Sequence, residues 1–482
     1  MINDECRIRR TNSSVILATQ HSAFNIQHST FNFFIMIKKL FTLFICTISL
    51  AMTFTSCSEE AFDTDSVNKQ TILVYYPWTG DKNSTGLLGD LQNNIDSICD
   101  GIIDRKGLNN SRVLVFLSEK YNQSTLYDLQ YDATTKSVNR VPLKKYEGTS
   151  YATAEGFVDI LNEVKTQASA LNYALIVGAH GCGWTYASDW SRYPKYARPS
   201  VTRPNVTRPS DSALSGYSAA DNSATGYSAA GYSATGISSF SGIQFGPDPN
   251  APLTRFFGSV SLAENAMDIS TLAEGIRESG LKMQYILFDA CYMSNVETAY
   301  ELKDVTNYMI ASGSEIMAAG LPYRSMWSYL NSATPNYSGI VSTSVNFYKN
   351  SSAPFCNLAA IDCRQVEKLA SVMKEINAQY QLSASVSLDS IQHLDGFRPH
   401  LFYDLETYVD SLRPSGYLLD QFKNQLKLTI KASDHTEEAY TCIYSSDSFK
   451  IKNYCGITIS DPSQHSVAIK GREKTGWWKA TH

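Results

Sequence analysis

The chain has 482 residues, of which 43% are hydrophobic, 18% charged and 12% aromatic, which excludes a mainly disordered or collagen-like polypeptide and is enough for about two to four domains. A formal net charge of −5 argues against nucleic-acid binding, which normally rests on a basic excess. Ten cysteines with no CxxC pair are too sparse for a disulfide scaffold and give no support to a structural zinc site.

In chain order, residues 1–35 fit no structural pattern, and Met36 reads as the true start, with the upstream stretch an over-extended gene model. Met36-Ile37-Lys38-Lys39 is short and basic, Leu40 to Phe54 is uncharged and mostly apolar, and Thr55-Ser56-Cys57 follows. That is the layout of a secretory signal, with an apolar run too short for the ~20 residues of a membrane-spanning helix. A cysteine straight after small residues resembles the bacterial lipoprotein signal, and the resemblance implies cleavage before Cys57 and acylation of its thiol. Phe54 departs from that pattern, where an aliphatic residue is usual; a plain signal peptide is the alternative. Loss of residues 1–56 removes five bases and two acids, so the mature chain is more acidic. Residues 57–69 form an acidic tether. The expected location is therefore exported and membrane-anchored, periplasmic or at the cell surface.

Thr71-Ile72-Leu73-Val74-Tyr75-Tyr76 reads as a first strand, and Leu88, Leu91, Ile95, Ile98 and Ile102 have the spacing of a helix that follows it. Val113 to Leu117 is a second strand. Phe157, Ile160, Leu161 and Val164 mark a second helix, Ala174 to Ala179 a third strand, Leu272 to Ser279 a third helix, and Tyr285 to Phe288 a fourth strand. Continuous apolar strands alternating with helices predict an α/β fold with a mainly parallel sheet covered on both faces. Residues 191–246 break the pattern with Arg-Pro and Gly-Tyr-Ser-Ala repeats and almost nothing aliphatic to bury, and are read as a low-complexity surface insertion. Beyond them, Leu358 to Ile361 suggests a strand, and Asp362 with Gln365 a capped helix with Val366, Leu369, Met373 and Ile376 inward. Cys442 to Tyr444 and Gly456 to Ile459 suggest further strands. Residues 70–355 are thus expected to form the main domain and 356–482 a smaller C-terminal α+β region.

Two strands end in chemistry rather than packing: Gly178-Ala179-His180-Gly181 and Asp289-Ala290-Cys291. The carboxyl ends of parallel strands share one rim of the sheet, where ligands bind, so distant residues His180 and Cys291 can meet there as base and nucleophile. A helix expected from Asn295 would favour the Cys291 thiolate through its dipole. The N–H of Gly181 is suited to cradling an oxyanion.

The ordered set of His180-Gly181 after one strand and Asp289-Ala290-Cys291 after another resembles the caspase-like clan of cysteine peptidases. Thr71 to Tyr75, Ser294 to Leu302, Ala311-Ser312-Gly313-Ser314-Glu315, Tyr403-Asp404-Leu405 and Gly476-Trp477-Trp478-Lys479 are similar to the clostripain family. The resemblance implies the caspase-like fold, a His180–Cys291 dyad acting through an acyl-enzyme, cleavage after Arg or Lys with Asp289 low in the receiving pocket, and peptide or protein substrates. A carboxylate suits that task because a buried cation needs a charged acceptor. Ile316-Met317-Ala318-Ala319-Gly320 departs from the family, which often has a second acid there. The family also implies self-processing between the catalytic strands. Arg198, Arg203 and Arg208 each precede proline, which makes poor cleavage sites, so Lys195 is the expected one. Calcium accompanies some relatives, but no EF-hand-like loop is present, the histidines have no metal spacing, and no cofactor is expected.

Simpler readings stand beside these. A cysteine at a strand end is often a small core residue, Cys182 is read that way, and Asp289 could instead cap a helix. Glu315 is left between a surface acid and a pocket member. The rival functions are a non-catalytic peptide- or glycan-binding lipoprotein on a peptidase fold, and a hydrolase or transpeptidase using the same dyad.

Overall fold

The computed structural model describes residues 67–186, 189–190, 255–443 and 447–482. Cys57, Lys195, Tyr444 and the signal and insertion segments lie outside them.

The first strands are β1 (Gln70–Tyr76), β2 (Ser111–Lys120), β3 (Gln123–Asp132), β4 (Ser137–Glu147), β5 (Asn172–Gly178), β6 (His180–Tyr186), β7 (Arg255–Gly258) and β8 (Ala266–Met267). They are followed by β9 (Met283–Asp289), β10 (Thr306–Ala311), β11 (Asn357–Asp362), β12 (Tyr403–Asp404), β13 (Ile430–His435), β14 (Glu438–Thr441), β15 (Asp447–Lys450) and β16 (Thr458–Ile459). Nine of them form one sheet in the order β13-β11-β10-β9-β5-β1-β2-β3-β4. The central run β10-β9-β5-β1-β2 is parallel, while β3 and β4 at one end and β11 and β13 at the other run antiparallel. The expected parallel core is therefore present inside a mixed sheet, and residues 356–482 add two strands to it.

The helices flank both faces. On one face lie α1 (Leu88–Asp104) and, later in the chain, the helices Tyr323–Leu330 and Tyr337–Lys349. They pack Leu91, Ile95 and Ile98 against Ile72, Val74, Ile176 and Leu287. On the other face lie α2 (Ala154–Gln167), α3 (Ile269–Glu278), α4 (Val296–Leu302) and the helix Val366–Asn377. There Phe157, Ile160 and Leu272 meet Leu73, Tyr75, Val177 and Phe288. Odd and even residues of each central strand divide between the two faces as a pleated strand requires, and both are apolar because both are covered. The helices Tyr323–Leu330 and Tyr337–Lys349 are labelled α5 and α6, and Val366–Asn377 is α7.

Local signals match the ends. Thr153 caps α2, Asp268 caps α3 and Asn295 caps α4, each accepting from a backbone N–H of the first turn. Asp362 caps a short 3-10 turn, Cys363–Gln365, that leads into α7. The outermost strand, β4, carries exposed lysines Lys144 and Lys145, which discourages pairing at that open edge.

Candidate active site

His180 and Cys291 leave neighbouring strands at matched heights. Gly178 of β5 pairs with Asp289 of β9, and each catalytic candidate lies two residues farther on. The Ala179 N–H also donates to the Asp289 carbonyl at 3.3 Å. A Cβ on Gly181 would lie 2.5 Å from the Cys291 carbonyl oxygen and 3.1 Å from its nitrogen, so glycine is what lets the two segments touch.

Cys291 is half-buried beside the aromatic cluster of Trp184, Trp190, Tyr292, Phe397 and Phe402. Its sulfur accepts the Ile316 N–H at 3.3 Å. Burial, then the nearby Glu315 carboxylate, push the thiol above its ordinary range, with the Ile316 N–H acting in the opposite direction. The helix-dipole effect expected from the sequence is not what governs this thiol. α4 begins only at Val296, behind the Asn295 cap, so Cys291 lies upstream of the helix rather than in its first turn. Burial lowers the His180 imidazole to about 4, and its Nε2 has no hydrogen-bond partner among the described residues. Burial thus pushes both the thiol and the imidazole toward their neutral forms.

Asp289 ends β9 with its side chain on the face covered by α1 and α5. Its Oδ2 accepts from Tyr323 Oη at 3.0 Å, Leu321 N at 3.2 Å and Asn94 Nδ2 at 3.3 Å. Burial raises its proton affinity to about 6, against the Leu321 and Tyr323 hydrogen bonds. It does not cap α4; that task falls to Asn295, whose side chain accepts from Thr298 N at 2.8 Å.

The residue whose role stayed open in the sequence, Glu315, is buried near Cys291. Its Oε1 accepts from Thr441 Oγ1 at 2.6 Å and Tyr292 Oη at 2.7 Å, and its Oε2 from Cys442 Sγ at 2.8 Å and Cys442 N at 3.0 Å. Tyr292 follows Cys291 in a left-handed conformation, φ 62°, and its ring stacks on Phe402 at 5.3 Å. Glu315 thus ties the cysteine turn to the segment after β14. No spacing rule could have found the contact with Thr441 and Cys442, because those two partners lie more than a hundred residues away and carry no motif. Cys182 is buried in β6, which pushes its thiol up to about 12 and leaves it a core residue. Among the described residues no His, Cys, Asp and Glu group could hold a metal ion, and no helix is long and apolar enough to cross a membrane.

Comparison with known proteins decides the family. The sequence profile of the clostripain family, peptidase C11, matches residues 248–466. A solved structure of a secreted C11 cysteine protease from Bacteroides thetaiotaomicron, iotapain, is 34% identical, with 86% of this chain and 99% of that one covered and a TM-score of 0.68. The chain belongs to the clostripain family. It is a cysteine peptidase, and peptides or proteins are its substrates. Two structures share the caspase-like fold at lower identity. An inactive zymogen C11 protease from Parabacteroides distasonis is 20% identical, covers 86% of this chain and 98% of that one, and has a TM-score of 0.63. A second secreted C11 protease from B. thetaiotaomicron, solved with an irreversible peptide inhibitor, is 18% identical over 86% and 99%, with a TM-score of 0.60. No curated protein matches.

Proposed function

We propose that this clostripain-family peptidase is an exported endopeptidase that works through a His180–Cys291 dyad. The observation that supports it best is the register: β5 and β9 carry the imidazole and the thiol to one height on one rim. His180 takes the thiol proton through its vacant Nε2 as the sulfur attacks the scissile carbonyl. The imidazolium then gives that proton to the leaving amine, and water releases the acyl-enzyme by the same relay. The Gly181 N–H is assigned to the oxyanion. The pair needs no ionisation at rest. The proton moves when substrate brings charge to the site.

Asp289 is assigned to the P1 side chain, which makes lysine or arginine the residue before the cut. It is the one acid of the cysteine turn, since Ala318 and Ala319 stand where a second is often found. Self-processing after Lys195 and acylation at Cys57 complete the reading, and export accords with the secreted relative. Fluorogenic peptides varied only at P1 test it against wild type, Cys291→Ala and His180→Ala. Both variants should lose turnover while still binding substrate. Equal turnover of basic and neutral P1 would remove Asp289 from the pocket, and a turnover unchanged in Cys291→Ala would remove the dyad.

A further inference from the structure

Asn94 lies at the middle of α1, only 1% exposed, with its side chain against the Asp289 carboxylate. The amide has one sensible orientation there. The group 3.3 Å from Oδ2 of a carboxylate must be the NH2, because an oxygen in that place would repel it. The Asn94 Oδ1 is then left buried with no hydrogen-bond partner among the described residues. A buried acceptor in that state costs about 1–3 kcal/mol and calls for a reason.

The neighbouring carboxylate shows a matching asymmetry. Asp289 Oδ2 already accepts three hydrogen bonds, while its Oδ1 accepts none from a described residue. Two oxygens without a donor among the described residues, one on β9 and one on α1, thus belong to side chains in direct hydrogen-bond contact. The turn over them is kept thin by Gly320, at φ +71°, where a Cβ would come within 2.6 Å of Asp289 Oδ2. One helical turn before Asn94, on the same face of α1 and nearer the rim, lies Asp90, which adds a second negative charge within electrostatic reach of Asp289.

We propose that Asn94 is a specificity-determining residue of the P1 pocket: its Oδ1 and the Oδ1 of Asp289 together accept the ammonium of a substrate lysine, and this pair selects lysine over arginine. The inference rests on the reading of Asp289 as the P1 acceptor. An ammonium has three donors that turn freely about a compact centre and can meet two separated acceptors. A guanidinium binds best when both oxygens of one carboxylate face it side by side. Here Oδ2 is occupied by the protein's own donors, so that two-toothed pairing is closed and arginine keeps only a single-point contact.

The test uses the active full chain with peptides that differ only in lysine, arginine or norleucine at P1. Wild type should favour lysine over arginine in kcat/KM. Asn94→Leu, close in volume and without an acceptor, should lower lysine turnover about tenfold, the worth of one hydrogen bond to a charged group. Arginine and norleucine turnover should change less than about threefold. Equal losses for lysine and arginine would reduce Asn94 to a support of Asp289 and overturn the inference, as would a wild-type preference for arginine. Asp289→Asn separates the two levels. If it leaves basic P1 turnover intact, the basic-P1 reading itself falls. If it abolishes that turnover while Asn94→Leu leaves the lysine-to-arginine ratio unchanged, only the role of Asn94 falls. A measurement on wild type alone covers a variant that fails to fold: n-butylammonium should inhibit lysine-peptide cleavage competitively and at lower concentration than n-butylguanidinium. The reverse order of those two inhibitors would overturn the inference.

Discussion

Truncating Glu315 tests how the Cys291 turn is held. Glu315→Ala would leave the Tyr292 hydroxyl, the Thr441 hydroxyl and the Cys442 N–H without the acceptor they now share. Each stranded buried donor costs about 1–3 kcal/mol. Part of that is offset, because burial already holds the Glu315 carboxyl above its usual range and its removal relieves an unfavourable charge. The expected net loss is about 3 kcal/mol. Glu315→Gln keeps one acceptor oxygen and should lose about 1 kcal/mol. The measurement is urea unfolding followed by tryptophan fluorescence, made in a Cys291→Ser background to prevent self-digestion. A functional effect should accompany it. Tyr292 holds a left-handed conformation at φ 62°, which costs a non-glycine residue about 1–2 kcal/mol, and freeing its hydroxyl lets that turn relax and shift Cys291. Turnover by Glu315→Ala should therefore fall in kcat more than in KM. A loss below about 0.5 kcal/mol for Glu315→Ala, with its kcat unchanged, would refute the clamp.

Further outcomes follow from the same geometry. Asp289 is raised from 3.8 to about 6 in the folded protein, so between those values the folded state binds more protons than the unfolded one, and stability falls as pH rises through that window; Asp289→Asn should remove this slope in a series of unfolding curves. The same ionisation predicts that kcat/KM for lysine peptides climbs through about pH 6 while that for norleucine peptides does not, because only the charged carboxylate attracts a cation. Gly320→Ala forces a methyl against Asn94 and Asp289 at a positive φ, and should cost at least ~1 kcal/mol and blunt the preference for basic P1 in the peptide panel. Cys182→Ala should keep kcat within about threefold, since that thiol is a core residue; a collapse of turnover with intact folding would make it a second nucleophile candidate.

Much of this architecture is legible in the residues. Continuous apolar runs such as Leu73 to Tyr76 and Tyr285 to Phe288 mark strands buried on both faces, and the helices between them repeat at helical spacing. The strands the sequence conceals are those at the sheet ends. Ser137 to Glu147 is half polar and contains Pro142, because an edge strand needs neither a covered outer face nor a full ladder. Cys442 and Ile443 read as a strand but lie beyond the end of β14, where Glu315 draws the chain inward. At the site, His180, Gly181, Asp289 and Cys291 are visible because strand ends carry chemistry in this class of fold. Asn94 and Glu315 are not. One is a polar residue inside an otherwise ordinary amphipathic helix, the other an acid that joins Tyr292 to Thr441 and Cys442 of the far C-terminal region. The state of the thiol also escapes the sequence, since burial depends on aromatic residues such as Phe397 and Phe402 that reach Tyr292 from far along the chain.

The most direct test of the dyad is where an electrophile lands. A peptide ending in lysine and carrying a thiol-reactive ketone should be incubated with wild type and with His180→Ala, and the adduct located by peptide mass mapping. The dyad predicts a single adduct on Cys291 in wild type, formed at least about a hundredfold more slowly in His180→Ala. Modification at Cys182 or Cys442 instead, or an unchanged rate without the imidazole, would contradict it.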